Sequence, residues 1–469
     1  MKTQHLVVVG NGMAGMRTVE NLLRLAPDYY RITVIGSEPR GNYNRILLSP
    51  VLAGEKSFAD TLMHDLDWYA ANDITLHAGV SVTTIDRAAR RIHCSNGLNL
   101  DYDRLLLATG SAPFMPPVSG VELPGVLGFR DLDDVETMLT AAREHRHAVV
   151  IGGGILGLEA AAALLQRGMN VTVVHRNAWL MDKQLDETAG RMLQTALEMR
   201  GIRFVLNART EALEGNARVQ SVRIGFTPSP LVGKAPSGTA LDRTANPQGV
   251  GQESPTSKGR GEGAASIESS ATFNARTPSP IKGEGAKTPS QTLSADLVVI
   301  TAGVRPRIEL ARDCGLACHA GIVVDDTLTT SDPAICAVGE CIEHRSETFG
   351  LVAPLWEQAE ILARRLAGDD TALYHGSPPQ TTRLKVSGIE VFSAGEFHAS
   401  ADCDVLTLHD PIDRHYRRLV LRDNRLIGAV LYGDTADGSW YFDLLKKGES
   451  RANVMLQPGD VIIIPESMF

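Results

Sequence analysis

The feature that most constrains the fold of this chain is a pattern of strand, glycine-rich turn, helix and strand that occurs twice. Near the start, a β-branched run at residues 6–9 ends at a glycine, helical spacing of apolar residues follows over residues 13–25, and a second apolar strand covers residues 32–35. The same order returns at residues 148–151, 158–166 and 170–174. Because a helix between two strands returns the chain to the same end of a sheet, each unit predicts parallel strands and an α/β fold.

Both turns have the spacing G-x-G-x-x-G. In a turn from strand to helix, the first glycine makes the turn, the second lets the backbone approach a pyrophosphate, and the third lets the helix pack on the strand. The N-terminus of the helix then faces the phosphate charge. The spacing therefore predicts two dinucleotide sites, one formed by Gly10, Gly12 and Gly15 and the other by Gly152, Gly154 and Gly157.

Residues near the end of the second strand of each unit indicate how a ribose is bound. In the first unit we assign this role to Glu38, the alternative being a solvated turn residue, and Arg45 is suited to the same pyrophosphate or to the surface. In the second unit the position at the end of the strand holds His175 and Arg176, and Glu159 lies just inside the helix; all three are assigned to the second nucleotide. An arginine without an acid favours the 2′-phosphate of NADPH, whereas a neutral histidine can accept a hydrogen bond from a ribose.

Charge and cysteine spacing argue against several classes of function. The net charge is −9 and the isoelectric point is about 5.8, which gives no electrostatic reason to bind nucleic acid or an anionic membrane. The six cysteines have no spacing typical of a zinc or iron–sulfur site, so no metal is expected. Residues 1–10 lack a signal-peptide pattern, and no run of about 18 apolar residues occurs. We therefore expect a cytoplasmic enzyme.

Later strands indicate that the first domain is discontinuous. Buried-type strands at residues 105–108, 297–301 and 335–338 each end in a small-residue turn, and these turns contain Thr109 and Gly110, Gly303, and Gly339. Because such strands recur after the second unit closes, we expect the second dinucleotide-binding domain to be inserted in the first. The predicted domains are residues 1–112 with 301–377, residues 113–300, and a small α+β domain over residues 378–469.

Residues 226–292 differ in composition from the rest of the chain. The segment is dense in Pro, Gly, Ser and Thr, and it repeats TPSP at residues 227–230 and 277–280. With few large apolar residues it cannot offset its ordering entropy by burial, so we expect a disordered expansion of a hairpin loop between strands at residues 219–224 and 296–300. The alternative is a linear motif that binds another protein.

Five motifs in order, over residues 1 to about 375, resemble the two-dinucleotide-binding flavoprotein disulfide reductase superfamily. They are the two glycine turns, LATG at 107–110, ITAG at 300–303 and AVGE at 337–340. Within that superfamily, four segments are similar to the flavoprotein portion of the large subunit of assimilatory nitrite reductase, namely YNR at 43–45, the run 179–186, GEC at 339–341 and GLVAP at 350–354. The electron-transfer subunit of assimilatory nitrate reductase is similar too.

The resemblance implies that the first unit binds FAD, that the second binds NADH or NADPH, and that hydride passes between them. It also implies that Gly339 and Glu340 contact FAD near its ribityl and pyrophosphate groups, although most members have Asp in place of this Glu. A helix beginning near Pro354 would point its N-terminus at the flavin. The turn at Thr109 and Gly110 is assigned to FAD, and Gly303 to the coenzyme. Since hydride transfer requires no side-chain acid or base, no catalytic residue is assigned.

Two departures from the family restrict the chemistry. The chain has no cysteine before Cys94, so reduction of disulfides or peroxides through an early thiol is not expected. Cys341 adjoins a flavin-contacting motif, and we expect it to be a buried side chain rather than a redox thiol. The nitrite reductase large subunit continues into iron–sulfur and sirohaem modules, whereas no cysteine follows Cys403 here. We therefore expect electrons to pass to a separate iron–sulfur, sirohaem or molybdenum subunit.

Three functions are compatible with the sequence. The first is a flavoprotein that transfers electrons in nitrite or nitrate assimilation. The second is a ferredoxin or rubredoxin reductase of another pathway, which the same fold would serve. The third is a flavin-dependent sensor or binding protein in which turnover is incidental. In related flavoproteins the C-terminal domain supplies a dimer or docking surface, which would allow a homodimer.

Overall fold

The computed structural model describes residues 4–226, 290–376, 381–386 and 388–448, with the backbone alone described at residues 384–386. Most of the predicted insertion at 226–292 therefore lies outside the described residues. Two short 3-10 helices cover Arg45–Leu47 and Ala59–Thr61. The α-helices within the described ranges are α1 Met13–Leu25, α2 Leu48–Ala53, α3 Leu66–Ala71, α4 Leu132–Glu144, α5 Ile155–Gln166, α6 Glu187–Glu198, α7 Glu309–Asp313, α8 Val352–Leu366 and α9 Gly438–Lys447.

The strands fall into three groups along the chain. The first group is β1 Gln4–Val9, β2 Tyr30–Gly36, β3 Asn42–Tyr43, β4 Leu62–His64, β5 Thr75–Ala78, β6 Val82–Asp86, β7 Arg91–Cys94, β8 Asn99–Asp101, β9 Arg104–Leu107, β10 Ser111–Pro113 and β11 Val126–Leu127. The second is β12 His147–Ile151, β13 Asn170–Val174, β14 Arg203–Val205, β15 Ala208–Glu214, β16 Ser221–Phe226, β17 Ser290–Ser294, β18 Leu297–Ile300, β19 Val304–Pro306, β20 Ile322–Val324, β21 Ile335–Ala337, β22 Ile342–His344 and β23 Glu347–Thr348. The third is β24 Thr381–Val386, β25 Ile389–Gly395, β26 Asp404–Asp410, β27 His415–Arg422 and β28 Arg425–Tyr432.

A first parallel sheet has the strand order β21-β9-β1-β2-β5. Its central strand β1 is buried along residues 5–9, as expected where helices cover both faces of a parallel sheet. Helix α1 has the predicted bounds, and it packs beside α8, which comes much later in the chain. Strand β21 also comes from that later part of the chain. The first sheet is therefore completed by a strand that follows the strands of the second sheet in the sequence.

A second parallel sheet has the order β11-β18-β12-β13-β14. Strand β13 has the predicted bounds. Helix α5 begins at Ile155, earlier than predicted, because the chain becomes helical directly after Gly154, the N-cap residue. The fold is thus α/β, with two Rossmann-like sheets and the second inserted in the first.

The hairpin predicted beside the insertion forms with a different partner strand. Strand β16 pairs antiparallel with β17, whose residues were predicted to belong to the disordered insertion or were left unassigned. Strand β18, the predicted partner, instead lies in the parallel sheet against β12. Because β17 reads Ser-Gln-Thr-Leu-Ser and is largely exposed, it has no apolar pattern by which the sequence could reveal it.

The C-terminal part is an antiparallel sheet of order β24-β25-β28-β27-β26 with helix α9 on one face. Residues Tyr416 and Tyr432 of this sheet belong to the same hydrophobic core as Leu193 and Leu197 of α6. The C-terminal sheet is thus packed on the second dinucleotide unit. Among the helices described above, none is long and apolar enough to cross a membrane.

Candidate dinucleotide sites

The three glycines of the first turn meet three different surroundings. Gly10 has φ of +116°, and a Cβ added there would lie 2.1 Å from the carbonyl oxygen of Ala108. A Cβ on Gly15 would lie 2.8 Å from the Cβ of Ala108, which holds α1 close to β9. A Cβ on Gly12, the N-cap of α1, would meet no atom within 4 Å. The turn therefore leaves open the side from which a phosphate would approach the helix N-terminus.

The second turn repeats this arrangement. Gly152 has φ of +125°, and its added Cβ would lie 2.6 Å from the carbonyl oxygen of Thr301. A Cβ added to Gly157 would lie 2.0 Å from the carbonyl oxygen of Gly152, whereas a Cβ added to Gly154 would meet no atom within 4 Å. Both predicted glycine turns thus have the geometry that a dinucleotide site requires.

Side chains around the first turn fix it from outside. The hydroxyl of Tyr69 donates to Asn11 Oδ1 at 2.6 Å, and Asn42 Nδ2 donates to the backbone oxygen of Asn11 at 2.9 Å. Asn42 is fully buried, and its Oδ1 accepts no hydrogen bond within the described residues. Because a buried polar atom without a partner is costly, this acceptor fits a site completed by a ligand such as FAD.

Glu38, which follows β2, and Arg45, in the first 3-10 helix, lie in contact in the structure. The guanidinium of Arg45 pairs with the carboxylate of Glu38, and Arg45 Nη1 donates to the hydroxyl of Tyr43 at 2.7 Å. The Tyr43 hydroxyl in turn donates to Glu38 Oε2 at 2.7 Å. Burial, followed by the nearby carboxylate, raises the pKa of Tyr43. The three groups form a fixed cluster in which both predicted side chains are already hydrogen-bonded.

Glu340 has a partner that sequence reasoning missed. The guanidinium of Arg130 pairs with Glu340 Oε2, and the hydroxyl of Ser111 donates to the same oxygen at 2.7 Å. The side chains of Arg130 and Glu340 are only 20% and 13% exposed. The carbonyl oxygen of Arg130 also accepts from Arg45 Nη1 at 2.9 Å, so one chain of contacts joins Glu38 to Glu340. No local motif marks Arg130, which directly precedes the N-cap of α4.

The turn at Gly339 is held by helix α8. Its amide donates to Gln358 Oε1 at 2.9 Å, and Gln358 is fully buried. Pro354 is buried in the first turn of α8, which begins at Val352. Gly110 and Gly303 have φ of +66° and +108°, and a Cβ added to either would meet no atom within 4 Å.

Two side chains beside these turns are tied to the backbone. The hydroxyl of Thr109 donates to the carbonyl oxygen of Arg307 at 2.8 Å. Cys341 is completely buried, as expected, and burial raises the pKa of its thiol. Its side chain therefore packs next to the Gly339 turn as a protonated thiol.

At the end of β13, His175 is directed at the protein rather than at solvent. Its Nδ1 accepts the amide of Gly153 at 3.1 Å, so the ring proton lies on Nε2, which contacts Asp182 Oδ1 at 3.1 Å. Burial lowers the pKa of His175. Arg176, by contrast, is exposed. The acceptor nitrogen proposed for a ribose therefore has a backbone partner, and a carboxylate not singled out from the sequence, Asp182, lies beside it.

Glu159, assigned from the sequence to the second nucleotide, contacts helix α2 in the structure. Its carboxylate accepts from the hydroxyl of Ser49 in α2 at 2.6 Å, and burial raises its pKa. This bond joins α5 to α2, two helices that pack against each other. Among the residues that the structure describes, no three His, Cys, Asp or Glu side chains converge as metal ligands.

Comparison with known proteins gives the family. The model described as pyridine nucleotide-disulphide oxidoreductase matches residues 4–227 and 270–359. The chain belongs to this family. Residues 380–449 of this pyridine nucleotide-disulphide oxidoreductase match a second model, the rubredoxin NAD+ reductase C-terminal domain.

Two curated relatives of this oxidoreductase come from Bacillus subtilis (strain 168). It is 39% identical to the nitrite reductase [NAD(P)H], over 98% of this chain and 49% of the relative. It is 37% identical to the assimilatory nitrate reductase electron transfer subunit, over 95% of this chain and 50% of the relative. The chain thus spans about half the length of these relatives. A solved ferredoxin reductase for the CYP199A2 system from Rhodopseudomonas palustris has the same fold, with a TM-score of 0.73, 24% identity and 96% coverage of both chains.

Proposed function

We propose that this oxidoreductase binds FAD at its first glycine turn and NAD(P)H at its second, and passes electrons to a separate redox protein in nitrite or nitrate assimilation. The observation that carries the proposal is the pair of turns with the same geometry, each with an open middle glycine at a helix N-terminus. The names of the two Bacillus subtilis relatives support the pathway. A cytoplasmic location fits the use of NAD(P)H as the electron donor.

The residues around the first turn suit FAD. The helix N-terminus behind Gly12 would offset the charge of the pyrophosphate, and the Arg45–Glu38 and Arg130–Glu340 ion pairs would line the same site, with Glu38 placed for the ribose. Glu340, held by Ser111 and Arg130, would line the same cofactor. Bound there, FAD would supply the link between a hydride donor and acceptors of single electrons.

The cysteines support transfer of electrons to a partner rather than reduction of a disulfide. Burial raises the pKa of five of the six thiols, those of Cys94, Cys314, Cys318, Cys336 and Cys341. Since the thiolate is the reactive form, these side chains are poor redox nucleophiles at neutral pH. We propose an iron–sulfur, sirohaem or molybdenum subunit as the acceptor.

A second candidate is a ferredoxin or rubredoxin reductase. The specific observation in its favour is the match of residues 380–449 to the rubredoxin NAD+ reductase C-terminal domain. Both candidates share the reductive half of the reaction and differ in the acceptor. Supplying the reduced protein with a rubredoxin, a ferredoxin and a nitrite reductase catalytic module, and measuring which is reduced fastest, separates them.

Anaerobic reduction of the bound flavin tests the proposed function. Purified protein loaded with FAD should lose its flavin absorbance within seconds of adding NADH or NADPH. Gly154→Val is the matched variant, because its side chain would enter the open space at the second turn and leave the first turn untouched. This variant should retain FAD and fail to be reduced. Wild-type protein that holds FAD and is bleached by neither coenzyme would contradict the proposal.

A further inference from the structure

Residues 177–186 form a loop that covers the second glycine turn. The amide of Met181 donates to the carbonyl oxygen of Gly153 at 2.9 Å, and the amide of Gly153 donates to His175 Nδ1 at 3.1 Å. A Cβ added to Gly153 would lie 2.9 Å from the side chain of Leu180. The amide and the carbonyl of Gly153 are therefore both hydrogen-bonded, and the loop packs against the turn.

The loop places a carboxylate at this position. Asp182 Oδ1 contacts His175 Nε2 at 3.1 Å, Oδ2 accepts from Asn177 Nδ2 at 2.7 Å, and the side chain is 23% exposed. Each carboxylate oxygen has two lone pairs, so Asp182 can accept further hydrogen bonds from a ligand. A neutral His175 leaves the negative charge of Asp182 unbalanced.

Two residues of the C-terminal part, one in the segment between β25 and β26 and one in β27, contact the same loop. His398 Nε2 contacts the backbone oxygen of Asp182 at 3.3 Å, and the hydroxyl of Tyr416 donates to Asp186 Oδ2 at 2.7 Å in a buried contact. The loop thus contacts Gly153 and two C-terminal residues. These contacts give the Asp182 carboxylate a defined position beside the second site.

We propose that Asp182 accepts the 2′-hydroxyl of the adenosine ribose and makes the second site select NADH over NADPH. This rests on the proposed function, in which that turn binds the coenzyme. A 2′-hydroxyl can donate to the carboxylate, whereas a 2′-phosphate would place like charges together. Asp182 thus supplies, from a loop, the acid that the end of β13 lacks.

The competing residue is Arg176, whose charge would attract a 2′-phosphate. It is exposed, and within the described part of the chain it forms no hydrogen bond or ion pair that would fix its position. Solvent and salt screen the charge of such a side chain more than that of a partly buried, hydrogen-bonded carboxylate. The hydrogen-bonded acid therefore outweighs the exposed base in the choice of coenzyme.

The test measures dissociation constants of NADH and NADPH for the FAD-loaded protein, together with the rate of flavin reduction by each. Wild-type protein should bind NADH about tenfold or more tightly than NADPH, as expected for one hydrogen bond to a charged group. Asp182→Asn, which keeps the side-chain shape, should weaken the binding of NADH by about tenfold and abolish the preference for NADH over NADPH. Glu187→Gln, an exposed carboxylate in the first turn of α6, is the control and should change neither constant.

A wild-type preference for NADPH would overturn the inference even if Asp182→Asn failed to fold. An equal loss of affinity for both coenzymes in Asp182→Asn would overturn it as well, because it would indicate general damage to the loop. Wild-type protein that binds neither coenzyme would instead refute the proposed function itself. Flavin content and thermal midpoint of each variant show that the first turn is unaffected.

Discussion

Gly10 and Gly12 belong to one turn, yet replacing the first should lower stability and replacing the second should lower FAD affinity. Gly10→Ala puts a Cβ 2.1 Å from a backbone oxygen at φ of +116°, so we expect a loss of stability of about 2 kcal/mol or more. Gly12→Ala adds a Cβ where no atom lies within 4 Å, so the protein should fold normally. Its FAD affinity should fall about tenfold or more, because the methyl group would meet the pyrophosphate.

The measurements are the thermal midpoint of the apoprotein and the ratio of flavin to protein after gel filtration. Gly12→Ala should match the wild-type midpoint and lose flavin. Gly10→Ala should have a clearly lower midpoint. Equal midpoints for the two variants would show that the backbone of the turn is not strained as the structure indicates.

Arg130 should contribute to both stability and cofactor retention. Arg130→Ala leaves the largely buried Glu340 with Ser111 as its remaining side-chain partner, so we expect a loss of about 2 kcal/mol and weaker FAD binding. The control is Arg91→Ala, which breaks an ion pair whose side chains are 48% and 67% exposed, so it should cost far less stability. Urea unfolding of both variants checks this, and similar losses would contradict it.

At the residue scale, the sequence identified what is local and missed what is brought together by folding. The glycines were predictable because one short spacing encodes a turn, a close approach and a helix start. Arg130 contacts Glu340 from 210 residues away, and Asp182 reaches the end of β13 through a loop. Neither contact leaves a pattern in a short window of sequence.

At the scale of elements, helix α8 and the Gly339 turn depend on one buried amide. Gln358→Leu removes the acceptor of the Gly339 amide, which would leave a buried donor unpaired and cost about 1–3 kcal/mol. Because the turn is predicted to line FAD, flavin affinity should fall as well. Glu360→Gln, on the exposed face of the same helix, should leave both properties unchanged. Unfolding free energies and FAD titrations provide the test. If Gln358→Leu changed neither property, Gln358 would not hold the Gly339 turn.

The elements themselves were predictable to different degrees. Helix α1 and strand β13 have the bounds that the sequence indicated, since α1 has apolar residues at helical spacing and β13 is a short β-branched run. Strand β17 escaped detection because it is a polar, exposed edge strand whose only signal is its pairing with β16. Apolar periodicity arises because one face of an element is buried, so an exposed strand shows no such periodicity in the sequence.

At the scale of the whole molecule, the C-terminal sheet and the second dinucleotide unit share a buried tyrosine–carboxylate contact. The hydroxyl of Tyr416 donates to Asp186 Oδ2 at 2.7 Å, and Asp186 Oδ1 has no partner among the described residues. Burial, followed by the Asp186 charge, raises the pKa of Tyr416 from 10.0 to about 12. Domain packing should therefore become sensitive to alkaline pH.

The sign of that dependence follows from where the proton is lost. Between pH 10 and pH 12 the unfolded chain has released the Tyr416 proton while the folded protein keeps it, so the free energy of unfolding falls as pH rises, by at most about 3 kcal/mol. Tyr416→Phe lacks this proton and should have a flatter profile over the same range. At pH 7 it should be less stable by about 1–2 kcal/mol, because Asp186 loses its donor.

Urea unfolding at pH 7, 10 and 11 of wild-type protein and Tyr416→Phe would check both effects. The stability difference seen at pH 7 should shrink as pH approaches 11, because the wild-type protein alone loses this contribution. Tyr29→Phe, at a tyrosine that is 51% exposed, should keep the wild-type pH profile. Parallel profiles for wild-type protein and Tyr416→Phe would show that the Tyr416–Asp186 contact does not control how the C-terminal sheet is held on the second dinucleotide unit.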